Sequence, residues 1–460
     1  MSYIKDTIVA ISTALGEGAI GIVRLSGDEA ITIANTIIQG KNLAKVASHT
    51  IHYAHIIDPE RQTIIDEVMV SVMKSPRTFT REDVVEINCH GGIVAVQSVL
   101  EAALSAGARM AEPGEFTKRA FLNGRIDLSQ AEAIMDLIEA KTAKAMQASV
   151  NQLQGSLSQK VRELRQAMLD TLAQVEVTID YPEYDDVEEL SLHQLHETAE
   201  RVKDQIAQIL NQAQQGRVFR EGIKTAIVGR PNVGKSSLLN VLAGFEKAIV
   251  TDIEGTTRDI IEEFINIGGV PLHLIDTAGI RQTDELVEQI GVKKSRELLE
   301  KADLVLLILN QSEALTETDK ELLELTKNHQ RIIILNKQDL PAKVDRHVLE
   351  THIDPADLID MSMISEQGLD QLQARIQAKF LSGTIQSQDV TYLLNSRHVN
   401  LLQQAMRALD EVMIGTEMLA PVDLIQIDFT RAWDLLGEIT GESVQDELLN
   451  KLFSQFCLGK

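Results

Sequence analysis

The spacing of apolar residues divides the chain into successive regions. Up to about residue 120, short β-rich runs alternate with helical segments near 29–37 and 93–105, which is typical of a compact α+β domain. Further along, apolar residues recur every three or four positions from 150 to 179, and this spacing predicts one long amphipathic helix. A second stripe, from Leu192 to Ile209, predicts a helix that packs antiparallel to the first.

A region of alternating strands and helices begins near Gly216 and lasts until about residue 381. Helical spacing then returns, with apolar stripes over 401–413 and 424–439. Because the early and the late helices all need partners, we expect them to form one discontinuous bundle into which the αβ region is inserted. A late stripe that forms an oligomer interface is the alternative.

This organisation predicts a multidomain protein of the α/β plus α class. A chain of 460 residues is too long for one compact core, so two or three domains are expected. The predicted division is an N-terminal α+β domain at 1–120, a first helical part at 121–215, an inserted αβ domain at 216–381 and a second helical part at 382–460.

A glycine-rich loop joins a predicted strand to a predicted helix. The apolar run 225–228 leads into Gly229-Arg-Pro-Asn-Val-Gly-Lys-Ser236, and a helical pattern follows. Spacing and context match the phosphate loop of P-loop proteins, in which backbone N–H groups surround the β-phosphate. Lys235 is expected to reach the β- and γ-phosphates, and Ser236 to bind Mg²⁺. The other loop positions expected to contact nucleotide are Asn232, Val233, Gly234 and Ser237.

Two further strand ends carry polar motifs. Asp276-Thr277-Ala278-Gly279 follows an apolar run, so Asp276 is expected to hold Mg²⁺ through water and the Gly279 N–H to sense a γ-phosphate. Asn336-Lys337-Gln-Asp339 follows another apolar run, and a carboxylate there accepts hydrogen bonds from guanine N1 and the 2-amino group. Adenine lacks these donors, which predicts GTP as the nucleotide. Ser362 is expected to contribute to the base site, although Met363 stands where Ala is usual.

The segment between the phosphate loop and Asp276 is the candidate for the first switch. It runs from Thr251 to Asp259, and Thr257 is expected to complete the Mg²⁺ shell. Its positions expected to contact nucleotide are Thr251, Asp252, Ile253, Glu254, Gly255, Thr256 and Thr257. Ile280 stands where many small GTPases place a water-orienting Gln. An acid must therefore take that role, and the following segment offers Asp284, Glu285 and Glu288.

The composition narrows the classes of partner. A formal charge of -24 disfavours sequence-independent binding to nucleic acid, which depends on Lys and Arg. Residues 1–127 are nearly balanced, with 12 basic and 15 acidic residues, so this region repels an acidic partner least. Two cysteines, no secretion signal and no bilayer-length apolar run predict a cytoplasmic protein without a membrane partner.

Taken together, the motifs resemble the tRNA modification GTPases of the MnmE or TrmE family. The resemblance covers the whole chain. It is carried by the phosphate loop, by Gly255-Thr-Thr-Arg-Asp259, Asp276-Thr-Ala-Gly-Ile-Arg281, Ile22-Val-Arg-Leu-Ser-Gly27, Phe116-Thr-x-Arg-Ala-Phe-Leu-Asn123 and the terminal Cys457-Leu-Gly-Lys460. The guanine motifs are shared with ribosome-assembly GTPases, whereas the terminal motif and the N-terminal segments are not.

The resemblance implies a GTPase activated by K⁺ and by dimerisation of its nucleotide domains. Asn232 and the loop positions Thr251, Ile253 and Thr256 would hold K⁺, and Glu288 would orient the attacking water. A fixed cation at that position would offset the charge that develops on the phosphates. From sequence alone, Asn232 fits a simple turn residue equally well, and Glu288 fits a solvated helix.

The resemblance also implies modification chemistry in the N-terminal domain. A tetrahydrofolate such as 5-formyltetrahydrofolate would bind at Arg24, Glu86, Arg125 and Lys460, and Cys457 would be catalytic. The implied partners are a second copy of the chain, an FAD-dependent flavoprotein of the MnmG or GidA type that forms a heterotetramer with it, and tRNA bound through that complex. The implied product carries a carboxymethylaminomethyl-type group on C5 of the wobble uridine.

Two alternatives stay open from the residues alone. Cys457 follows apolar Leu452, Phe453 and Phe456, so a buried structural thiol on a helix face is as reasonable as a functional one. The alternative function is a regulatory GTPase of ribosome assembly without modification chemistry. A GTPase with that function is expected to carry a basic RNA-binding module, and no such module is recognisable in this acidic sequence.

Overall fold

The computed structural model describes residues 6–58, 61–180, 185–244, 263–268, 270–275, 299–350, 353–365, 367–381, 394–442 and 446–459. These residues belong to two compact units. The first unit comprises 1–135, 157–200 and 401–460, and the second comprises 136–156 and 201–400.

The first unit begins with a seven-stranded sheet in the order β3-β4-β5-β6-β2-β1-β7. Its strands are β1 (Ile8–Ile11), β2 (Gly18–Ser26), β3 (Ile38–Gln39), β4 (Thr50–Ile57), β5 (Ile64–Met73), β6 (Val84–Gly91) and β7 (Arg109–Met110). Helices α1 (Ala30–Ile37) and α2 (Ile93–Ser105) cover one face, where alternate strand residues such as Val70 and Ile87 are buried. The two helices predicted near 29–37 and 93–105 are confirmed.

The opposite face of this sheet carries polar and exposed apolar side chains. Ile51, Ser71, Glu86 and Arg24 lie side by side across β4, β5, β6 and β2. Ile51 is exposed, and so are Tyr53 and Met69 in the neighbouring row. Exposed large side chains on adjacent strands make this face a candidate for contact with another protein.

The helices that follow differ in one respect from the prediction. They are α3 (Glu115–Leu122), α4 (Leu128–Glu139), α5 (Ala143–Leu153), α6 (Ser156–Asp180) and α7 (Asp185–Glu221). The single helix expected over 150–179 is wrong, because α5 ends at Leu153 and α6 starts at Ser156. Gly155 lies between them with a φ of +94°, a left-handed conformation that ends a helix.

The second unit contains a six-stranded sheet in the order β13-β12-β11-β8-β10-β9. Its strands are β8 (Ile223–Val228), β9 (Glu263–Ile267), β10 (Val270–Leu274), β11 (Leu304–Asn310), β12 (Arg331–Asn336) and β13 (Leu358–Asp360). The pairs are parallel except for β9 with β10. The helices described between and after these strands are α8 (Lys235–Ala243), α9 (Glu317–Leu325), α10 (Arg346–Glu350) and α11 (Leu369–Leu381). Apolar clusters fill both faces of the sheet, as expected for parallel strands.

Three late helices complete the first unit: α12 (Ser396–Glu417), α13 (Val422–Thr440) and α14 (Asp446–Phe453). Trp433 Nε1 donates to the Arg165 carbonyl at 3.1 Å, and His196 Nδ1 lies 2.7 Å from Thr416 Oγ1. These contacts join α6 and α7 to the late helices, so the discontinuous bundle and the α/β plus α class are confirmed. Leu424 and Ile427 are exposed on α13, unlike the rest of its apolar stripe.

None of the described helices is long and apolar enough to cross a membrane.

Candidate functional site

The phosphate-loop sequence lies between the carboxyl end of β8 and the first turn of α8. Three of its residues have positive φ values, Gly229 at +157°, Asn232 at +62° and Gly234 at +112°. Glycine adopts this region without a steric penalty, and Asn is one of the few other residues found there regularly. The residue types of the motif therefore match the backbone turns that bring the chain round to the N-terminus of α8.

Lys235 faces back into this loop. Its Nζ donates hydrogen bonds to the carbonyls of Gly229 at 2.7 Å and Arg230 at 2.8 Å, and burial lowers the pKa of Lys235. Ser236 and Ser237 are exposed in the first turn of α8. Lys235 and the N–H groups of the α8 N-terminus thus lie at the same loop, where an anion would be stabilised.

Asn336, the last residue of β12, connects the phosphate loop to the second predicted motif. Its Nδ2 donates to the Val233 carbonyl at 2.8 Å, and its Oδ1 accepts from the Met363 N–H at 3.3 Å. The side chain is almost fully buried. Asn336 therefore holds three segments together: the phosphate loop, the end of β12 and the loop after β13.

Asp339 lies in the loop that follows β12 and is exposed, while Ser362 beside it is buried. The Ser362 hydroxyl donates to Asp339 Oδ1 at 2.8 Å. Lys337, between Asn336 and Asp339, has a φ of +69°, which turns the chain sharply after the strand. The carboxylate is thereby fixed at the sheet edge that also carries the phosphate loop, in an arrangement suited to a purine base with N–H donors.

Several predicted site residues lie outside the described residues. They are Thr251, Asp252, Ile253, Glu254, Gly255, Thr256, Thr257, Asp276, Thr277, Ala278, Gly279, Glu288 and Lys460. Of the remaining nucleotide-site candidates, the structure brings together residues 229–237 of the phosphate loop with Asn336, Lys337, Asp339 and Ser362.

A second group of predicted residues lies on the N-terminal sheet. Arg24 Nε donates to Glu86 Oε1 at 2.7 Å across β2 and β6, and both side chains are about three-quarters buried. The Gly459 carbonyl accepts from Ser12 Oγ at 3.0 Å and lies 3.4 Å from Arg24 Nη1. The C-terminal tail is therefore seated against the strand that carries Arg24.

Two aromatic rings lie close to the arginine side chains of this region. The Arg24 guanidinium lies 5.7 Å from the centre of the Phe116 ring, and that of Arg125 lies 5.9 Å from the centre of the Phe79 ring. Phe79 and Phe116 belong to the same apolar cluster. Contacts of this kind restrict the guanidinium groups and leave their N–H groups available to carboxylates.

The placement of Cys457 corrects one expectation. The thiol is exposed and lies beyond α14, which ends at Phe453, so a buried thiol on a helix face is wrong. The backbone of Cys457 is anchored, because its carbonyl accepts from the Gly114 N–H at 3.3 Å. The other cysteine, Cys89, is buried, and burial raises its pKa to about 11.

Sequence reasoning missed the side chains that hold these sites in place. Ser12 falls in no motif that was used for ligand prediction, and Gly459, although inside the terminal motif, contributes through its backbone carbonyl. Arg230 in the phosphate loop pairs with Glu313 and Asp319, which lie after β11. The signal available for Arg230 was its charge within an otherwise uncharged stretch from Gly229 to Gly234.

A parallel sheet with a phosphate loop after β8 and Asn-Lys-x-Asp after β12 defines a P-loop GTPase. Comparison with known families agrees and is more specific. Residues 128–457 match the family model described as the MnmE helical domain, and residues 7–125 match the one described as the GTP-binding protein TrmE N-terminus. The chain belongs to the MnmE (TrmE) family of GTPases.

Curated relatives match over nearly the full length. The tRNA modification GTPase MnmE of Enterococcus faecalis is 63% identical over 99% of this chain and 98% of its own. That of Bacillus subtilis is 58% identical over 99% of this chain and 100% of its own. Among solved structures, the G domain of the Thermotoga maritima FeoB iron transporter is 26% identical over 35% of this chain and 99% of its own, with a TM-score of 0.26, which is too low to support an argument.

Proposed function

We propose that this chain is a K⁺-activated GTPase that acts with a flavoprotein to modify the wobble uridine of certain tRNAs. The product would carry a carboxymethylaminomethyl-type group on C5, built from a folate-derived one-carbon unit. One observation carries the proposal: in a family of tRNA modification GTPases, the C-terminal tail of this chain contacts Arg24, which is paired with Glu86 on the N-terminal sheet.

GTP would bind along the edge of the sheet, from the phosphate loop to the segment 336–339 at the end of β12. We call this segment the guanine loop. Lys235 and the N–H groups of Val233 to Ser237 would contact the phosphates, and Asp339 with Ser362 would bind the base. The exposed Ser236 hydroxyl suits Mg²⁺, which prefers hard oxygen ligands. Thr257 and Asp276 would complete that shell, and Glu288 would orient the attacking water.

The K⁺ proposal rests on Asn232. Its left-handed backbone places an exposed carboxamide in the phosphate loop, where an amide oxygen suits a monovalent cation. Thr251, Ile253 and Thr256 would supply the remaining ligands. A cation held there would stabilise charge that develops on the phosphates during hydrolysis.

We predict that GTP turnover is many-fold faster in K⁺ than in Na⁺ at equal ionic strength. Asn232→Ala should remove most of that difference, because it deletes the amide oxygen. The measurement is phosphate release by the full chain in each salt. Equal rates in K⁺ and Na⁺ for the native chain would end the potassium hypothesis.

A tetrahydrofolate such as 5-formyltetrahydrofolate would bind on the N-terminal sheet. Arg24, Arg125 and Lys460 match its glutamate carboxylates, and Glu86 can accept hydrogen bonds from N–H groups of a pterin ring. The guanidinium groups of Arg24 and Arg125, each close to an aromatic ring, fit such a ligand. When bound, folate would supply the one-carbon unit, and the exposed Cys457 thiol would take part in its transfer.

A homodimer is proposed through the same face of the sheet. Ile51, Tyr53 and Met69 are exposed there, beside the row that contains Arg24 and Glu86. Burial of large apolar side chains contributes about 25 cal/mol per Å² of apolar surface removed from water. The folate proposal and the dimer proposal thus fall on one continuous surface.

The tRNA and redox roles need a further partner. At a net charge of -24 the chain should bind tRNA weakly alone, so an FAD-dependent flavoprotein of the MnmG or GidA type would add basic surface and redox capacity in a heterotetramer. We place this complex in the cytoplasm. The proposed domain division is 1–120 for folate binding and dimerisation, 121–215 and 382–460 for the helical domain, and 216–381 for the GTPase domain.

The deciding experiment is nucleoside analysis of tRNA from cells that lack the protein. We expect wobble uridines to lose the carboxymethylaminomethyl-type group and to regain it when the native gene is restored. Restoration with Arg24→Ala should leave them unmodified although GTP is still hydrolysed. Wobble uridines that stay modified in cells without the protein would favour the alternative, a regulatory GTPase of ribosome assembly.

A further inference from the structure

Arg230, the second residue of the phosphate loop, is tied to acids outside the loop. Its guanidinium forms an ion pair with Glu313, and its Nε lies 3.2 Å from Asp319 Oδ2. Arg230 is largely buried, and Asp319 is 3% exposed. The hydrogen bond from Arg230 also holds the pKa of Glu313 below its ordinary value.

Both acids are themselves held in place. Asp319 belongs to a capping box at the start of α9: its Oδ2 accepts from the Thr316 N–H at 3.0 Å, and its own N–H donates to Thr316 Oγ1 at 3.3 Å. Glu313 Oε1 accepts from Asn310 Nδ2 at 2.8 Å, at the end of β11. Arg230 is therefore anchored to fixed points of the sheet and of α9.

The same segment reaches the guanine loop. The Gln311 N–H donates to the Asn336 carbonyl at 3.0 Å, and Gln311 Nε2 lies 3.3 Å from the Lys337 carbonyl and 3.1 Å from the Leu340 carbonyl. Residues 310–319 thus contact the phosphate loop through Arg230 and the guanine loop through Gln311. They bridge the two halves of the nucleotide site.

We infer that Arg230 is a positioning residue for nucleotide binding. Through Glu313 and Asp319 it fixes the phosphate loop relative to the guanine loop, and its carbonyl also holds Lys235 Nζ. The Arg230 side chain contacts these acids and acts through the loop backbone. The inference rests on GTP binding at this loop and adds a residue that sets its affinity.

The expected result for Arg230→Ala is a roughly tenfold weaker affinity for GTP and for GDP alike, with a single-turnover hydrolysis rate within about twofold of native. Either nucleotide must first restore the displaced loop to its native position, so the affinity for both falls by the same factor. Arg230→Lys should recover part of the affinity, since Lys keeps the positive charge but lacks the planar guanidinium that can donate to two acceptors. Adding Glu313→Gln to Arg230→Ala should cause no further loss, because the pair is already broken.

The control is Arg375→Ala: Arg375 lies on α11 of the same unit and pairs with Asp357, which precedes β13. Fluorescent GTP and GDP titrations, single-turnover hydrolysis and thermal melts of the full-length variants give the readouts. Three outcomes would overturn the inference: affinity loss no greater than in the control, a fall in hydrolysis rate at unchanged affinity, or a loss confined to GTP. Arg230→Lys supplies the same test if Arg230→Ala fails to fold. A native chain that binds no GTP would instead refute the proposed function.

Discussion

Asp339→Asn is expected to weaken GTP binding by a factor of about 10² to 10⁴ and to create affinity for XTP. Guanine N1–H and the 2-amino group would both donate to the carboxylate, and a hydrogen bond to a charged group contributes about 1.5–3 kcal/mol. Two such bonds correspond to about two to four powers of ten at 1.4 kcal/mol per tenfold. An Asn amide would place a donor against the 2-amino group of guanine, whereas xanthine has a carbonyl there.

Titration with fluorescent GTP and XTP analogues measures this exchange of specificity. The matched control is Asp354→Asn in the same unit, since Asp354 accepts from the Ala356 N–H at 2.9 Å and Asn fills that role equally well. The control should bind GTP as the native chain does. Asp339→Asn with native GTP affinity, or with no gain for XTP, would show that the base is recognised elsewhere.

The strands around the nucleotide site could be predicted from the sequence because their burial pattern is simple. β11 is buried along its whole length, and the same holds for β12. A strand covered on both faces gives a short uninterrupted apolar run, and polar motifs immediately after such runs fall at one sheet edge. Local sequence was therefore sufficient to place the phosphate loop and the guanine loop at the same edge of the sheet.

The helix break at Gly155 could not be predicted from apolar spacing. Leu153 and Leu157 are four residues apart, as they would be within one continuous helix, so the apolar stripe passes through the break unchanged. The break is caused by the left-handed backbone conformation of Gly155. Spacing reports which face is buried and gives no information on backbone conformation.

Contacts between distant residues were also beyond the sequence. Arg24 and Gly459 are 435 positions apart, and Arg230 and Glu313 are 83 apart. Nothing in the spacing within one element indicates that such residues meet. The exposure of Cys457 has the same origin, since it depends on where α14 ends and on how the tail is seated against β2.

Asn336 connects these observations on the nucleotide site. Its amide joins Val233 to Met363, and Gly234 approaches it so closely that a Cβ at Gly234 would lie 2.3 Å from Nδ2. The residue after Val233 is therefore required to be small because the guanine loop is adjacent, as well as because phosphate must approach the backbone. The two loops constrain each other through this contact.

Gly234→Ala is accordingly expected to weaken GTP binding at least about 100-fold. The added methyl must displace the buried Asn336 amide, which breaks two hydrogen bonds worth about 1 kcal/mol each. A φ of +112° adds backbone strain of about 1–3 kcal/mol for a residue with a Cβ. A total of about 3–5 kcal/mol reduces the population of the binding-competent loop by a factor of roughly 100 to 4,000, and the apparent affinity falls by that factor.

Gly107→Ala provides a closely matched control. Gly107 has a φ of +108°, almost that of Gly234, but no atom lies within 4 Å of the position its Cβ would occupy. It should therefore lose stability through backbone strain and keep native affinity for GTP. Nucleotide titrations and thermal melts of both variants separate the effect of backbone strain from the effect of the contact between the added methyl group and Asn336. If Gly234→Ala also bound GTP normally, the contact between the phosphate loop and Asn336 would have no part in forming the site.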